Sequence, residues 1–186
     1  CSILLLPMAM VFAFGFYVNR KRLGCSIYGV MLVAFLIGVC INVSQEMGGN
    51  PRIDAMGIAQ DDGAMEGKEV RLGAGATGLW SVVTTVTSNG SVNGMHDSTM
   101  PLSGMIEMLN MQINTWFGGV GVGWMNYFTF IIIAVFISGL MVGRTPEFMC
   151  HKVEAKEMKI ASIVALLHPF VILVGTALAA YLYVHA

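Results

Sequence analysis

Leu79-Trp-Ser-Val-Val-Thr-Thr-Val-Thr87, followed by Ser88-Asn-Gly-Ser-Val-Asn93, decides how this chain is read. The first part is apolar and threonine-rich. As a helix it would be about 14 Å long, at ~1.5 Å per residue, roughly half the hydrocarbon thickness of a bilayer. It ends at a glycine loop and lies between much longer apolar runs. A half-helix that stops at a glycine turn inside a membrane is one way to build an ion selectivity filter. The competing reading is an ordinary outer turn after a short buried helix. Spacing alone leaves both open.

The rest of the sequence supplies the membrane. Its 186 residues are 56% hydrophobic and only 11% charged. A soluble domain carries about twice that charge. The apolar residues cluster into uncharged runs, so the expected class is an integral membrane protein of the all-α kind. No charged n-region with a cleavage site marks a secretory signal. The chain begins on Cys1 and enters an apolar run at once, which reads as a piece of a longer protein. Cys1, Cys25, Cys40 and Cys150 form no CxxC pair and read as small packing residues rather than disulfide or zinc ligands. A nucleic-acid partner is not expected.

Ser2–Val18 and Leu23–Val43 are the first two expected spans, separated by Arg20-Lys21-Arg22. Residues 44–78 read as a polar, glycine-rich extracellular loop with turn signals at Asn50-Pro51 and Asp62-Gly63. Residues 79–87 are the short pore helix and 88–93 the filter. Residues 101–142 are apolar but too long for one straight span, and glycines mark a break. Residues 144–159 form a charged loop, and 160–186 a last apolar helix. Basic residues flank the two short loops (Arg20, Lys21, Arg22, Arg144, Lys152, Lys156, Lys159), which places those loops in the cytoplasm. The opposite side is acidic. There Glu46, Asp54, Asp61, Asp62, Glu66, Glu69, Asp97 and Glu107 outnumber Arg52, Lys68 and Arg71, and they would raise the local cation concentration. The second span then ends outside and the run to Val142 ends inside. One crossing plus one re-entrant excursion satisfies that parity.

The chemistry of the excursion suits a bare monovalent cation. Such an ion must exchange its water shell for protein oxygens, and successive backbone carbonyls can replace it. Gly90 would supply unusual backbone dihedrals at little cost. The C-terminal end of the preceding helix carries partial negative charge. Hydroxyls of Thr84, Thr85, Thr87 and Ser88 can satisfy backbone groups left open by irregular structure. No side-chain carboxylate lies between Glu69 and Asp97, which suits carbonyl coordination better than a divalent-cation site.

The cluster Phe117-Gly-Gly-Val-Gly-Val-Gly-Trp124 reads either as close helix packing or as a helix broken within the membrane, and its glycine density favours the break. It is no nucleotide fingerprint, because no strand precedes it. His96-Asp97 reads as a polar pair at a pore mouth, and Cys150-His151 as an isolated interfacial pair. His168 beside Pro169 reads as a span histidine bonded to a backbone group that the proline frees. Glu107 is an acid inside an apolar run, worth suspicion because such acids are costly, or else it reaches the outer interface. The methionines read as packing filler.

A family resemblance now enters. Met65-Glu-Gly-Lys-Glu69 with Arg71, Val83-Thr-Thr85, Ser88-Asn-Gly-Ser-Val92, Met95-His-Asp-Ser98 and Pro101-Leu102 occur in order. Phe117-Gly-Gly-Val-Gly121, Gly139-Leu-Met-Val-Gly-Arg-Thr-Pro-Glu147 and Glu154-Ala-Lys-Glu-Met-Lys159 follow. Together they closely resemble the potassium-binding subunit of Kdp-type potassium-transporting ATPases. The resemblance implies polytopic helices with a re-entrant pore helix and a selectivity-filter loop, a potassium-channel-like pore repeat. Full subunits of that family hold four such repeats. This chain would cover the last helix of the second (1–22), the whole third (23–143), the cytoplasmic loop 144–159 and the first helix of the fourth (160–186).

By position, the resemblance implies that Ser88, Asn89 and Gly90 contribute to a K⁺ filter, flanked by Thr87, Ser91 and Val92. Phe117, Gly118, Gly119, Val120, Gly121 and Gly123 would form the loop that interrupts the second helix and restricts passage. Some relatives carry an acid just before this loop; Asn114-Thr115-Trp116 stands there instead, so no charged gate is assigned. Arg144 falls in the family's Gly-Arg-Thr-Pro-Glu motif. The implied function is potassium binding and translocation in an ATP-driven uptake pump of the bacterial inner membrane, multi-pass. K⁺ is the transported ion, with no organic cofactor and no catalytic site in this chain. The implied partners are a P-type ATPase catalytic subunit, small accessory subunits of the complex, the remaining pore repeats and the bilayer. The alternatives are a passive Trk/Ktr-like potassium channel or symporter subunit, and a membrane scaffold with no ion pathway.

Overall fold

The computed structural model describes residues 2–118, 121–143, 145–148 and 151–185. Cys1, Gly119, Val120, Arg144 and Cys150, singled out above, lie outside the described residues. The order is α1 (Ser2–Tyr17), α2 (Lys21–Met47), α3 (Pro51–Asp54), α4 (Gly73–Val86), a 3₁₀ turn at His96–Ser98, α5 (Pro101–Ile113), α6 (Val122–Val142), β1 (Glu147–Phe148), β2 (His151–Lys152) and α7 (Ala155–His185). The chain falls into two compact units, Cys1–Gly123 and Trp124–Ala186. Among the described residues, three stretches are long and apolar enough to cross a membrane: Lys21–Asp54, which holds α2, Val122–Val142 and Ala155–His185.

The first unit is organised by one face of α2. Its buried residues are Gly24, Ile27, Met31, Phe35, Gly38, Asn42 and Glu46. That three-to-four spacing makes a single stripe along the helix. At one end the stripe is glycine, so α1 crosses closely: a Cβ on Gly15 would sit 3.1 Å from Gly24 Cα. In the middle it is apolar, with Phe35 and Tyr28 against the ring of Phe117. At the other end it turns polar, and there α4 and α5 pack against it.

Helix α4 starts at Gly73, earlier than the residue-79 start expected from sequence. Gly73, Gly75 and Gly78 read as loop residues because glycine costs about 1 kcal/mol in a helix interior. Packing reverses that preference. A Cβ on Gly78 would meet Asn42 Oδ1 at 3.1 Å and Glu46 Cγ at 3.3 Å, so glycine lets α4 lie against α2. At 14 residues α4 is about 21 Å long, still short of a bilayer core.

The run from residue 101 to 142 is interrupted. Helix α5 stops at a left-handed Asn114 (φ 43°), and α6 begins at Val122. The connection is tight. Gly123 N donates to Gly118 O (2.8 Å), and a Cβ on Gly123 would lie 2.1 Å from that oxygen. No side chain fits there, so the glycines belong to the break itself.

In the second unit, Trp124 stacks on Tyr127 with ring centroids 5.4 Å apart, and Phe128 meets Phe148 edge-on. The β1–β2 hairpin, not foreseen in the sequence, pairs Glu147 with Lys152 and Phe148 with His151. Glu154 precedes α7, and its N–H donates to Glu157 Oε2 (2.7 Å), half of a capping box. Pro169 lies inside α7 without ending it.

Candidate functional site

The site is built on the end of α4. Thr87 caps the helix, and Ser88 follows in the left-handed region at φ 53°. Asn89 N donates back to Thr84 O (3.0 Å) and Ser88 N to Thr85 O (3.4 Å). These are the two bonds of a Schellman stop. The left-handed residue is therefore Ser88, where Gly90 was expected to supply the unusual dihedral; Gly90 has no left-handed φ. The reason is position. The αL residue of this stop directly follows the cap, and Gly90 comes two residues later.

Of the hydroxyls expected to satisfy backbone groups left open by irregular structure, that of Thr84 does so, while those of Thr85 and Thr87 bond carbonyls of α4 itself. Thr85 Oγ1 donates to Ser81 O (2.8 Å) and Thr87 Oγ1 to Val83 O (2.8 Å), within the helix. Thr84 Oγ1 donates out of the helix to Asn89 O (2.7 Å). Trp80 Nε1 reaches the next turn of the loop and donates to Ser91 O (3.1 Å). Asn89 Oδ1 accepts from Ser91 N (2.9 Å), an Asx turn that stiffens the loop from within. Ser88 departs from the expectation: its hydroxyl donates to Asn114 Oδ1 on the cap of α5.

Two of the loop carbonyls, those of Asn89 and Ser91, are thus held back against α4. Among the described residues no hydrogen bond ends on the carbonyls of Ser88 or Gly90. Residues 88–92 are exposed, and a Cβ on Gly90 would meet no heavy atom within 4 Å. Local packing gives Gly90 no reason to be glycine. Thr87 is buried in the helix cap, while Val92 is exposed at the far end.

The far end of the loop is anchored by contacts the sequence reading missed. Gly94 pairs with Lys68, and Met95 N donates to Gly67 O (2.9 Å). A Cβ on Gly94 would lie 2.6 Å from Thr77 Cγ2, so the chain presses against α4 there. Lys68 Nζ lies 2.6 Å from Glu46 Oε2, with the two side chains 1% and 0% exposed. Glu46 Oε1 accepts from Met100 N (2.9 Å). Sequence alone puts Glu46 and Lys68 among the charges of the acidic outer face; the structure makes them a buried ion pair. The signal was present, since Glu46 lies one turn beyond Asn42 on the buried stripe of α2.

Glu107 is likewise buried, with Oε2 3.9 Å from Nδ1 of His96. It lies in a polar seam with Asn42, Ser81 and Ser103, and Asn42 Nδ2 donates to Ser81 Oγ (3.2 Å). His96 therefore turns toward Glu107, and the acid does not reach an open interface. Among the described residues, no group of three or more His, Cys, Asp and Glu could hold a metal ion. Of the proposed gating residues, Phe117 is buried with φ 40°, Gly121 has φ 120°, and Gly118 and Gly123 touch.

Residues 1–186 match the family described as potassium-transporting ATPase A subunit. The chain belongs to that family. It is 87% identical over its full length to a potassium-transporting ATPase potassium-binding subunit of Phocaeicola vulgatus, and covers 33% of that protein. The like-named subunit of Bacteroides thetaiotaomicron is 84% identical over 99% of the chain, and that of Flavobacterium johnsoniae 58% identical over 98%. The chain covers 32% of each of these two. It therefore spans about a third of the length of these relatives.

Proposed function

We propose that this chain supplies one pore repeat of a potassium-binding and translocating subunit in an ATP-driven K⁺ uptake pump. In this reading α4 is a pore helix that enters the membrane from outside and stops partway. Residues 88–92 form its share of a selectivity filter. The carbonyls of Ser88 and Gly90 face the ion, while those of Asn89 and Ser91 are tied to Thr84 and Trp80. Ties of this kind let a filter keep its oxygens at a fixed spacing, so that dehydration of K⁺ is offset and a mismatched ion is not. The flanking groups Thr87 and Val92 set the two ends of the loop.

The remaining repeats of the full-length subunit would face the open side of Gly90 and complete the ring. The interruption between α5 and α6, with Phe117, Gly118, Gly121 and Gly123, would restrict passage beneath the filter. Energy would come from a P-type ATPase subunit, with small accessory subunits completing the complex in the bacterial inner membrane. The observation that carries this reading is the joint one: a family named for potassium transport, and a helix too short to span that ends in an ordered, exposed glycine loop.

The test is potassium-dependent ATPase activity of the full-length complex carrying Gly90→Asp. The expected result is a higher potassium requirement or weaker discrimination against rubidium. An unchanged potassium titration, with altered assembly only, would assign the loop a scaffolding role instead.

A further inference from the structure

We infer that the buried pair Glu46–Lys68 is a positioning device for the filter loop. The inference rests on the filter reading and adds residues that lie outside the loop. Ser88–Gly94 is strung between two anchors. The first is α4 itself, through Thr84 and Trp80. The second is the segment Ala64–Lys68, which Gly94 and Met95 join through backbone contacts.

That second anchor is held by one carboxylate. Glu46 binds Lys68 with one oxygen and Met100 N with the other, so a single α2 side chain fixes the chain on both sides of residues 94–99. Lys68 Nζ also donates to Ala64 O (2.7 Å), and Ala64 N donates to Glu46 O (2.8 Å), which closes the segment onto the end of α2. Gly63 (φ 82°) permits the approach, since a Cβ there would lie 2.7 Å from Glu46 O. Both charges are out of water, and removing one leaves the other unpaired, which is more damaging than removing both. A displaced Lys68 releases Gly94, and the loop loses its downstream register.

The structure thus assigns Glu46 and Lys68 as positioning residues for K⁺ binding. The experiment compares Lys68→Met, Glu46→Gln, Lys68→Arg and the double variant Glu46→Gln/Lys68→Met in the full-length complex. Readouts are the potassium concentration for half-maximal ATPase activity, the maximal rate, and the yield of assembled complex. In assembled Lys68→Met complex the half-saturating potassium should rise about tenfold, with the maximal rate changed less than about twofold. Lys68→Arg should recover most of the loss. The double variant should fall between, and it supplies the titration if either single variant fails to assemble.

A purely structural pair would lower yield while leaving the half-saturating potassium of the surviving complex at the wild-type value. That result overturns the inference. Gly90→Asp run in parallel separates the two ideas. If it shifts the potassium response and the Glu46 and Lys68 variants do not, the positioning role fails alone. If Gly90→Asp also changes nothing, the filter reading has failed with it.

Discussion

Replacing Thr84 with Val keeps the shape of a residue that is 1% exposed and deletes one bond, Thr84 Oγ1 to Asn89 O (2.7 Å). Valine matches threonine in volume, so no cavity forms. What is lost is the tie that turns the Asn89 carbonyl toward α4. An intramolecular hydrogen bond contributes about 1 kcal/mol net, and side-chain bonds inside membrane proteins average about 0.6. If that energy is what holds the loop in its ion-binding arrangement, the potassium requirement should rise about three- to fivefold. The freed carbonyl lies on an exposed loop and can find water, so folding and yield should be nearly unaffected. The assay is a potassium titration of ATPase activity in the full-length complex, with Thr84→Ser as the control that keeps the hydroxyl. Thr84→Ser should behave close to wild type. A Thr84→Val titration that overlays the wild type would refute the claim that this bond orders the filter.

Three further outcomes follow from the same geometry. Gly90→Ala should leave thermal stability unchanged, because its Cβ enters open space, yet raise the potassium requirement; a loss of stability with normal potassium response would reverse that assignment. Gly123→Ala should abolish assembly or cost at least about 3 kcal/mol, since its Cβ would lie 2.1 Å from Gly118 O, and a stable, fully active variant would show that the break is built differently. Gly78→Leu should separate α4 from α2 and reduce the yield of folded subunit sharply, whereas Gly78→Ala, meeting Asn42 Oδ1 at 3.1 Å, should cost about 1–3 kcal/mol, measured by denaturation in detergent.

Much of the helical plan is legible from the residues. The stretches around α2, α6 and α7, long and apolar enough to cross a membrane, follow from uncharged length alone, and the break after α5 follows from the glycines at 118–123. The short reach of α4 is legible too, although its first turn is not. Gly75 and Gly78 oppose helix locally, and the end of α2 they pack against, at Met47, Asn42 and Glu46, reverses the balance. The identity of the left-handed residue is hidden for a similar reason. A glycine in a turn attracts the assignment, but the Schellman geometry places it on Ser88, one residue past the cap. Glu46 and Lys68 look like solvent charges because each is surrounded in sequence by polar residues. Burial depends on the stripe of α2 continuing one more turn and on a loop folding back over it, and no local window records the second event. His96 and Glu107 are only eleven residues apart, on the 3₁₀ turn and the helix that follows it, and the sequence does not record that the turn folds back onto α5.

The decisive quantity is the position of a permeating ion. Anomalous diffraction from the full-length complex crystallised with rubidium or thallium would measure that directly. The expected result is a peak coordinated by the carbonyl oxygens of Ser88 and Gly90, within the bilayer. A loop at residues 88–92 lying in bulk solvent, with the ion bound elsewhere, would contradict it.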